Sequence, residues 1–170
     1  MELKEALLRR RSVRKFTDEK VSEEDINELL HAAMSGPSAV NKKPWDFYVI
    51  TDEEMLENVR KHCAPFGKFK SPLAIVVCGN LLKALPLNLS TYWIQDCAAA
   101  TENILLRACD LGLGAVWCGV YPVKASVKST RKTIGAKAHQ VPLNVIFIGH
   151  PDGDIPEPRD QYDEKCIHRI

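Results

Sequence analysis

The stretch RRRSVRKFT, residues 9–17, contains five basic side chains and one serine. Arg10, Arg11, Ser12 and Arg14 offer guanidinium forks, a hydroxyl donor and free backbone N–H groups, which suit a phosphate monoester. The chain as a whole is nearly neutral, with 23 Lys and Arg against 22 Asp and Glu. The cluster is therefore predicted to bind an anion locally, and a solvated basic face is the alternative.

A nucleic-acid-binding arm is a third interpretation of this segment. The formal net charge of +1 and the lack of interleaved aromatic side chains count against it. The same balance argues against attraction to anionic lipid, and no apolar run approaches the length of a membrane span. The N-terminal residues have no apolar signal region, and the six cysteines form no C-x-x-C pair. We therefore expect a cytoplasmic protein without a nucleic-acid or membrane partner.

A second polar segment is GPSAVNKKPWDFYVI, residues 36–50. Pro37, Ser38, Asn41 and Pro44 in close order before a predicted strand indicate a rigid loop whose polar groups point in fixed directions. Ser38 and Asn41 offer uncharged donors and acceptors that suit a planar polar ligand. The alternative is a turn that only caps its own backbone.

A third segment, GLGAVWCGVYP at residues 112–122, is rich in glycine. It precedes a predicted strand and does not open a helix, which argues against the G-x-G-x-x-G fingerprint and a Rossmann nicotinamide site. Its glycines would allow backbone N–H groups to approach a flat ligand. The chain also lacks the H-E-x-x-H, G-x-S-x-G and Walker motifs, and no metal site is predicted.

The elements that position these segments are predicted from hydrophobic periodicity and capping signals. Helices are expected at residues 1–10, 22–34, 52–62, 91–111 and 123–134. Strands are expected at 45–51, 73–79, 142–149 and within 112–119. Because helices and strands alternate along a single domain spanning residues 1–170, the pattern alone favours a parallel α/β sheet.

Taken together and in this order, the three segments resemble the FMN-dependent nitroreductase family. The family pattern R-R-S-x-R-x-F is matched by Arg10, Arg11, Ser12, Arg14 and Phe16. The pattern P-S-x-x-N-x-Q-P-W is matched by Pro37, Ser38, Asn41, Pro44 and Trp45. The helix from residue 92 with its glycine segment, and the C-terminal FIGHP strand end with its tail, are also similar. The resemblance covers nearly the whole chain.

The resemblance implies an α+β fold in place of the parallel sheet. This is a nitroreductase-like three-layer sandwich, in which helices flank a mixed, largely antiparallel central sheet. It also implies a homodimer with FMN sites at the interface, each lined by both subunits. The loop with Ser38, Ala39 and Asn41 would come from the partner, and residues 151–170 would form a C-terminal extension that embraces the partner subunit.

The resemblance also assigns roles within an FMN site. Arg10 and Ser12 would hold the phosphate with Arg11 nearby, and Arg159 would add a second cation there. Arg14 would reach the ribityl chain and the N1/C2=O edge, where a positive charge favours the reduced ring. Trp117, Cys118 and Gly119 would present backbone groups to the other edge of the ring, including an N–H near N5. The expected FMN-binding residues are Arg10, Arg11, Ser12, Arg14, Pro37, Ser38, Ala39, Asn41, Trp117, Cys118, Gly119 and Arg159.

Two positions depart from the family pattern. Lys43 stands where the family commonly has Gln, and Gln161 stands where a second C-terminal Arg is common. Either change is expected to loosen FMN or to alter substrate preference without removing the site.

The implied activity is ping-pong hydride transfer through FMN, from NADH or NADPH to nitroaromatics, quinones or similar electron-poor small molecules. Such chemistry needs no side-chain nucleophile or acid, which agrees with the missing catalytic motifs. Alternatives are a specialised superfamily member, either dehalogenase-like or flavin-consuming, and a non-enzymatic dimer that binds or stores flavin.

Overall fold

A computed structural model describes residues 1–62, 69–155, 157–158 and 161–170, with the side chain of Asn88 left out. Within these residues the sheet has the order β1-β2-β4-β3, and each neighbouring pair of strands is antiparallel. Its strands are β1 (Trp45–Ile50), β2 (Leu73–Asn80), β3 (Gly114–Gly119) and β4 (Gln140–Gly149).

The predicted strands are confirmed, but the parallel sheet that the pattern favoured is wrong. Strand β2 is buried along its whole length, as expected for a continuous apolar run. Such a run shows only that both faces are covered, and the central strand of an antiparallel sheet between two helical layers meets the same condition. The antiparallel sheet implied by the family resemblance is therefore correct.

All five predicted helices are confirmed, within a residue or two at their ends. They are α1 (Leu3–Arg9), α2 (Glu23–Met34), α3 (Glu53–His62), α4 (Tyr92–Asp110) and α5 (Lys124–Thr133). Ser22 caps α2 as its sequence predicts, because its Oγ accepts a hydrogen bond from the Asp25 N–H at 3.0 Å.

The sheet separates two apolar cores. Leu73, Ile75 and Val77 of β2 pack with α2 and α4 on one face, whereas Ala74 and Val76 pack with α3 and α5 on the other. This division follows the two-residue period of a strand, which sends successive side chains to opposite faces. The result is the expected three-layer arrangement of helices, sheet and helices.

A polar cluster at Asp46 of β1 makes a pH-dependent contribution to the free energy of unfolding. Asn80 Nδ2 and Gln140 Nε2 donate to Asp46 Oδ2 at 2.7 and 2.6 Å, and Lys83 Nζ lies 3.2 Å from Oδ1. Burial raises the pKa of Asp46, but the hydrogen bonds from Gln140, Lys83 and Asn80 outweigh it and hold the pKa below its usual value. Because the folded pKa is the lower one, this contribution is present above the unfolded pKa of about 4 and is lost as pH falls through the folded pKa.

We expect Asp46→Asn to lower the free energy of unfolding at pH 7 by about 1 kcal/mol, because two buried donors lose a charged acceptor. The difference from the wild type should shrink as pH falls below about 4, in urea melts at several pH values. Asp18→Asn is the control, because Asp18 is an exposed carboxylate that pairs with Lys70. A difference that did not change with pH would contradict the assignment.

Candidate functional site

The basic segment predicted to bind an anion lies against the edge of β3 in an extended conformation. Ser12 forms a parallel bridge with Ala115, and the Val13 N–H donates to the Ala115 carbonyl at 3.0 Å. The close approach requires glycine at position 114, because a Cβ there would lie 2.6 Å from Val13 Cγ1. The tertiary structure thus joins the first and third segments singled out in the sequence.

A second anchor follows a few residues later. Phe16 forms an antiparallel bridge with Pro151, and the Thr17 N–H donates to the His150 carbonyl at 2.9 Å. Between the two anchors lies a small cleft of about 140 Å³, lined by residues 12–15 and 151–155. The segment therefore runs from β3 to the end of β4 and is held at both ends.

The arginines of the segment have different surroundings. Arg10 is half-buried, and its Nε lies 3.3 Å from Glu102 Oε1 on α4. Arg11 donates from Nη1 to the Arg10 carbonyl and from Nη2 to the Glu157 carbonyl, both at 3.0 Å. Arg14 is exposed and donates to the Ser12 carbonyl at 3.1 Å. Arg11 therefore joins the segment to the C-terminal tail, which leaves Arg10 and Arg14 better placed to meet an anion.

Strand β3 presents an open edge beside these cations. Backbone groups that point to one edge of a strand recur at every second residue, so Trp117 and Gly119 share the outer edge that Ala115 uses to meet Val13. Both residues are exposed, and in the described part of the chain no atom beyond the adjacent residues lies within 4 Å of a Cβ placed on Gly119. Among the described residues, no strand pairs with this edge beyond Ala115. A planar ligand has room there to reach backbone N–H groups.

Cys118 lies between these two residues, but its side chain is buried in the core that the sheet forms with α3 and α5. Burial raises the pKa of its thiol to about 11, while the nearby Arg14 guanidinium acts in the opposite direction. The side chain is therefore a neutral core group, and what Cys118 can offer a ligand is its backbone.

The predicted polar loop lies elsewhere on the chain. Pro37 is exposed, Ser38 and Ala39 are half-buried, and a short 3₁₀ turn spans Ala39–Asn41. The described hydrogen bonds of this loop go to α4, to Asn80 of β2, whose N–H donates to the Pro44 carbonyl, and to the loop itself. None of them reaches the Arg10–Arg14 segment. The structure of one chain thus brings the first and third segments together and leaves the second apart.

Two acidic residues that contact predicted site residues were not singled out from the sequence. Glu102 faces Arg10, and Asp96 accepts a hydrogen bond from the Ala39 N–H at 2.8 Å. The available signal was the presence of acidic residues in the otherwise apolar helix α4. Trp93 on the same helix is buried and packs over Gly79 as a core residue.

The remaining expectations concern the tail and possible metals. Arg159 lies outside the described residues, while Gln161 is exposed. Among the residues that are described, no cluster of His, Cys, Asp and Glu could hold a metal ion. No helix in the described ranges is long and apolar enough to cross a membrane.

Comparison with known sequences identifies close relatives. The profile of the nitroreductase family matches residues 7–74. A Methanothermobacter thermautotrophicus protein, provisionally named NADH dehydrogenase/NAD(P)H nitroreductase, is 43% identical over 171 residues. That alignment covers 99% of this chain and 86% of the relative.

Solved structures share the fold. An FMN-dependent nitroreductase from Clostridium difficile R20291 superposes with a TM-score of 0.87 at 30% identity, covering 96% of each chain. A provisionally named nitroreductase from Desulfovibrio desulfuricans, solved in complex with FMN, has a TM-score of 0.83 at 26% identity. It covers all of this chain and 98% of its own.

Proposed function

The chain belongs to the nitroreductase family, and we therefore propose that it is an FMN-dependent oxidoreductase. Bound FMN would supply the redox chemistry, passing reducing equivalents from NADH or NADPH to an electron-poor small molecule in ping-pong fashion. Nitroaromatics and quinones are the proposed acceptors. The observation that carries the proposal is the docking of the basic segment on β3, which places Arg10, Ser12 and Arg14 beside an open strand edge.

The residues present fit FMN in their chemistry. Arg10 and the exposed Ser12 hydroxyl provide donors for a phosphate monoester, and Arg14 adds a cation on the side of β3. The open space beside Gly119 would allow a flat ring to contact the backbone groups of residues 117–119. In this proposal Arg11 orders the tail, and Arg159 contributes a further cation at the phosphate.

We further propose a single domain that forms a homodimer with FMN sites at the interface. Pro37, Ser38, Ala39 and Asn41 would then complete the partner's site. None of the described hydrogen bonds of their loop reaches Arg10–Arg14, which agrees with this arrangement. Residues 161–170 are all exposed, as expected of an extension that embraces a second subunit. Sedimentation of the purified protein as a monomer at micromolar concentration would contradict this arrangement.

The test is an absorption spectrum of the protein reconstituted with FMN and then mixed with NADH or NADPH without oxygen. Bound flavin that bleaches on addition supports the proposal and identifies the preferred nucleotide. Flavin that binds but stays oxidised favours the storage dimer, and no bound flavin contradicts the proposal. Turnover with nitroaromatics, quinones, halogenated phenols, or free flavin and oxygen then separates a general reductase from a specialised member.

Glu102 is predicted to weaken FMN binding, because it competes with the phosphate for Arg10. The two side chains are partly exposed, so the ion pair is worth at most about 1 kcal/mol. We expect Glu102→Gln to bind FMN about two- to fivefold more tightly at low ionic strength, with the gain shrinking as salt is added.

Flavin fluorescence quenching measures this affinity. Glu5→Gln is the matched control, because Glu5 pairs with Arg9 at 3.1 Å outside the proposed site. Equal changes in the two variants would show that overall charge, and not release of Arg10, controls the affinity.

A further inference from the structure

Helix α4 carries a buried carboxylate whose partner is a loop backbone. Asp96 is 6% exposed, and its Oδ1 lies 2.8 Å from the Ala39 nitrogen, which donates to it. Among the described residues, no cation lies within ion-pair distance of this carboxylate. Burying a carboxylate costs free energy unless the group is paired or hydrogen-bonded. The hydrogen bond from Ala39 partly offsets this cost, and a functional reason for the buried carboxylate is therefore sought in the loop that contains Ala39.

The loop that it holds is strained. Within residues 38–43, called here the 38–43 loop, Val40, Asn41 and Lys43 have φ values of 51°, 55° and 48°. This left-handed region is unfavourable for residues other than glycine, and for a β-branched side chain it is a true outlier. The Val40 side chain is 80% exposed, so its own packing does not compensate for the strain. Such a conformation persists only where the surroundings impose it.

The loop is held from within and from α4. Inside the loop, the Lys43 N–H donates to Ser38 Oγ at 2.9 Å, and the Asn41 N–H donates to the Ser38 carbonyl at 2.9 Å. From α4, Asp96 accepts at the start of the loop, and Cys97 Sγ lies 3.8 Å from the Pro44 carbonyl just beyond its end. Two consecutive helix residues therefore contact both ends of the loop, while its strained residues face outward.

From this arrangement we infer that Asp96 is a positioning residue for cofactor binding. Its carboxylate holds the 38–43 loop in the strained, outward conformation that meets the flavin of the partner subunit, an inference that rests on the proposed function. An ionised acceptor suits this task, because charge-assisted hydrogen bonds are shorter and stronger than neutral ones. The loop is thereby organised before the cofactor arrives, which lowers the ordering cost of binding.

The first measurement is made without flavin. We expect Asp96→Leu to make the Ala39 amide exchange with solvent at least about tenfold faster, while amides in the middle of α4 keep their protection. Asp96→Asn retains an acceptor oxygen and should remain within about threefold of the wild type. Unchanged exchange at Ala39 in Asp96→Leu would overturn the inference, whether or not the protein binds FMN.

The second measurement is FMN affinity, with the circular dichroism of the bound flavin as a signature of its surroundings. Asp96→Leu should bind FMN at least about tenfold more weakly and change the flavin signal, and Asp96→Asn should restore most of both. Thr101→Val is the control, because Thr101 is a buried polar residue of α4 that accepts from Asn144 Nδ2 and donates to the Cys97 carbonyl within the helix, and none of its described hydrogen bonds reaches the loop. Its FMN affinity should stay within about twofold even if its melting temperature falls.

A strain-relieving variant separates positioning from general destabilisation. Asparagine tolerates the left-handed region better than valine does. Val40→Asn should therefore recover part of the FMN affinity lost in Asp96→Leu. The inference is overturned if Asp96→Leu and Thr101→Val lose affinity in proportion to their lost stability, or if Val40→Asn recovers nothing. Failure of the wild type to bind FMN would instead reject the proposed function. The hydrogen-exchange result at Ala39 would then still test whether Asp96 holds the loop.

Discussion

Replacing Arg10 with methionine is expected to weaken FMN binding about 100-fold, because hydrogen bonds to a charged group contribute up to about 3 kcal/mol each. Methionine keeps much of the apolar stem and removes the guanidinium. The substitution also leaves Glu102 without its cation, so a negative charge remains where the phosphate would bind. Both consequences act in the same direction.

Fluorescence titration of FMN into the apoprotein measures the loss. Arg9→Met is the matched control, since Arg9 precedes Arg10, pairs with Glu5 at 3.1 Å and is exposed. The control removes the same charge and should change the affinity less than about twofold. The double variant Arg10→Met/Glu102→Gln should recover part of the loss. Equal effects of the Arg9 and Arg10 substitutions would refute a phosphate site at Arg10.

Replacing Gly114 with alanine is expected to weaken FMN binding about 30-fold without unfolding the sheet. The new Cβ would lie 2.6 and 2.7 Å from Cγ1 and Cβ of Val13, too close for either residue to remain in place. A clash of about 2 kcal/mol is relieved most cheaply by lifting the N-terminal segment from β3. The population with Arg10, Ser12 and Arg14 correctly placed then falls about 30-fold, and the apparent affinity falls with it.

The compensating variant tests this reading. Gly114→Ala/Val13→Gly removes the clashing side chain and retains the Val13 N–H that donates to Ala115, so it should regain most of the affinity. Gly119→Ala makes the same change on the same strand at a position where, apart from its chain neighbours, a Cβ meets no atom of the described residues within 4 Å, and its melting temperature should be unchanged. If Gly114→Ala lowered FMN affinity and Val13→Gly did not restore it, the clash with Val13 would not be the cause.

Local sequence patterns were sufficient to predict most of the helices and strands of this protein. Helix α2 follows from its Ser22 cap and the apolar stripe after it, and β2 follows from a buried apolar run between Pro72 and Gly79. Both signals arise from neighbouring residues in the chain. The cationic character of residues 10–14 was likewise predictable, since it depends on residue type and spacing.

Strand direction was not predictable in this way. The run that forms β2 would satisfy a parallel or an antiparallel sheet equally well, since burial on both faces is all that it encodes. The decision depends on β2 pairing with β1 and β4, which are far from each other in sequence. Only the family resemblance supplied the correct answer in advance.

The elements, their order and the cationic segment follow from the amino-acid sequence, because these depend on periodicity, capping and composition over a few residues. Which groups meet depends on the folding of the whole chain. The basic segment meets β3 at Gly114, Arg11 meets the tail at Glu157, and Asp96 meets Ala39. Each of these contacts joins residues that are distant in the chain, and their energies depend on burial and distances that no local pattern contains. The site is therefore a product of long-range packing applied to a locally encoded set of charges.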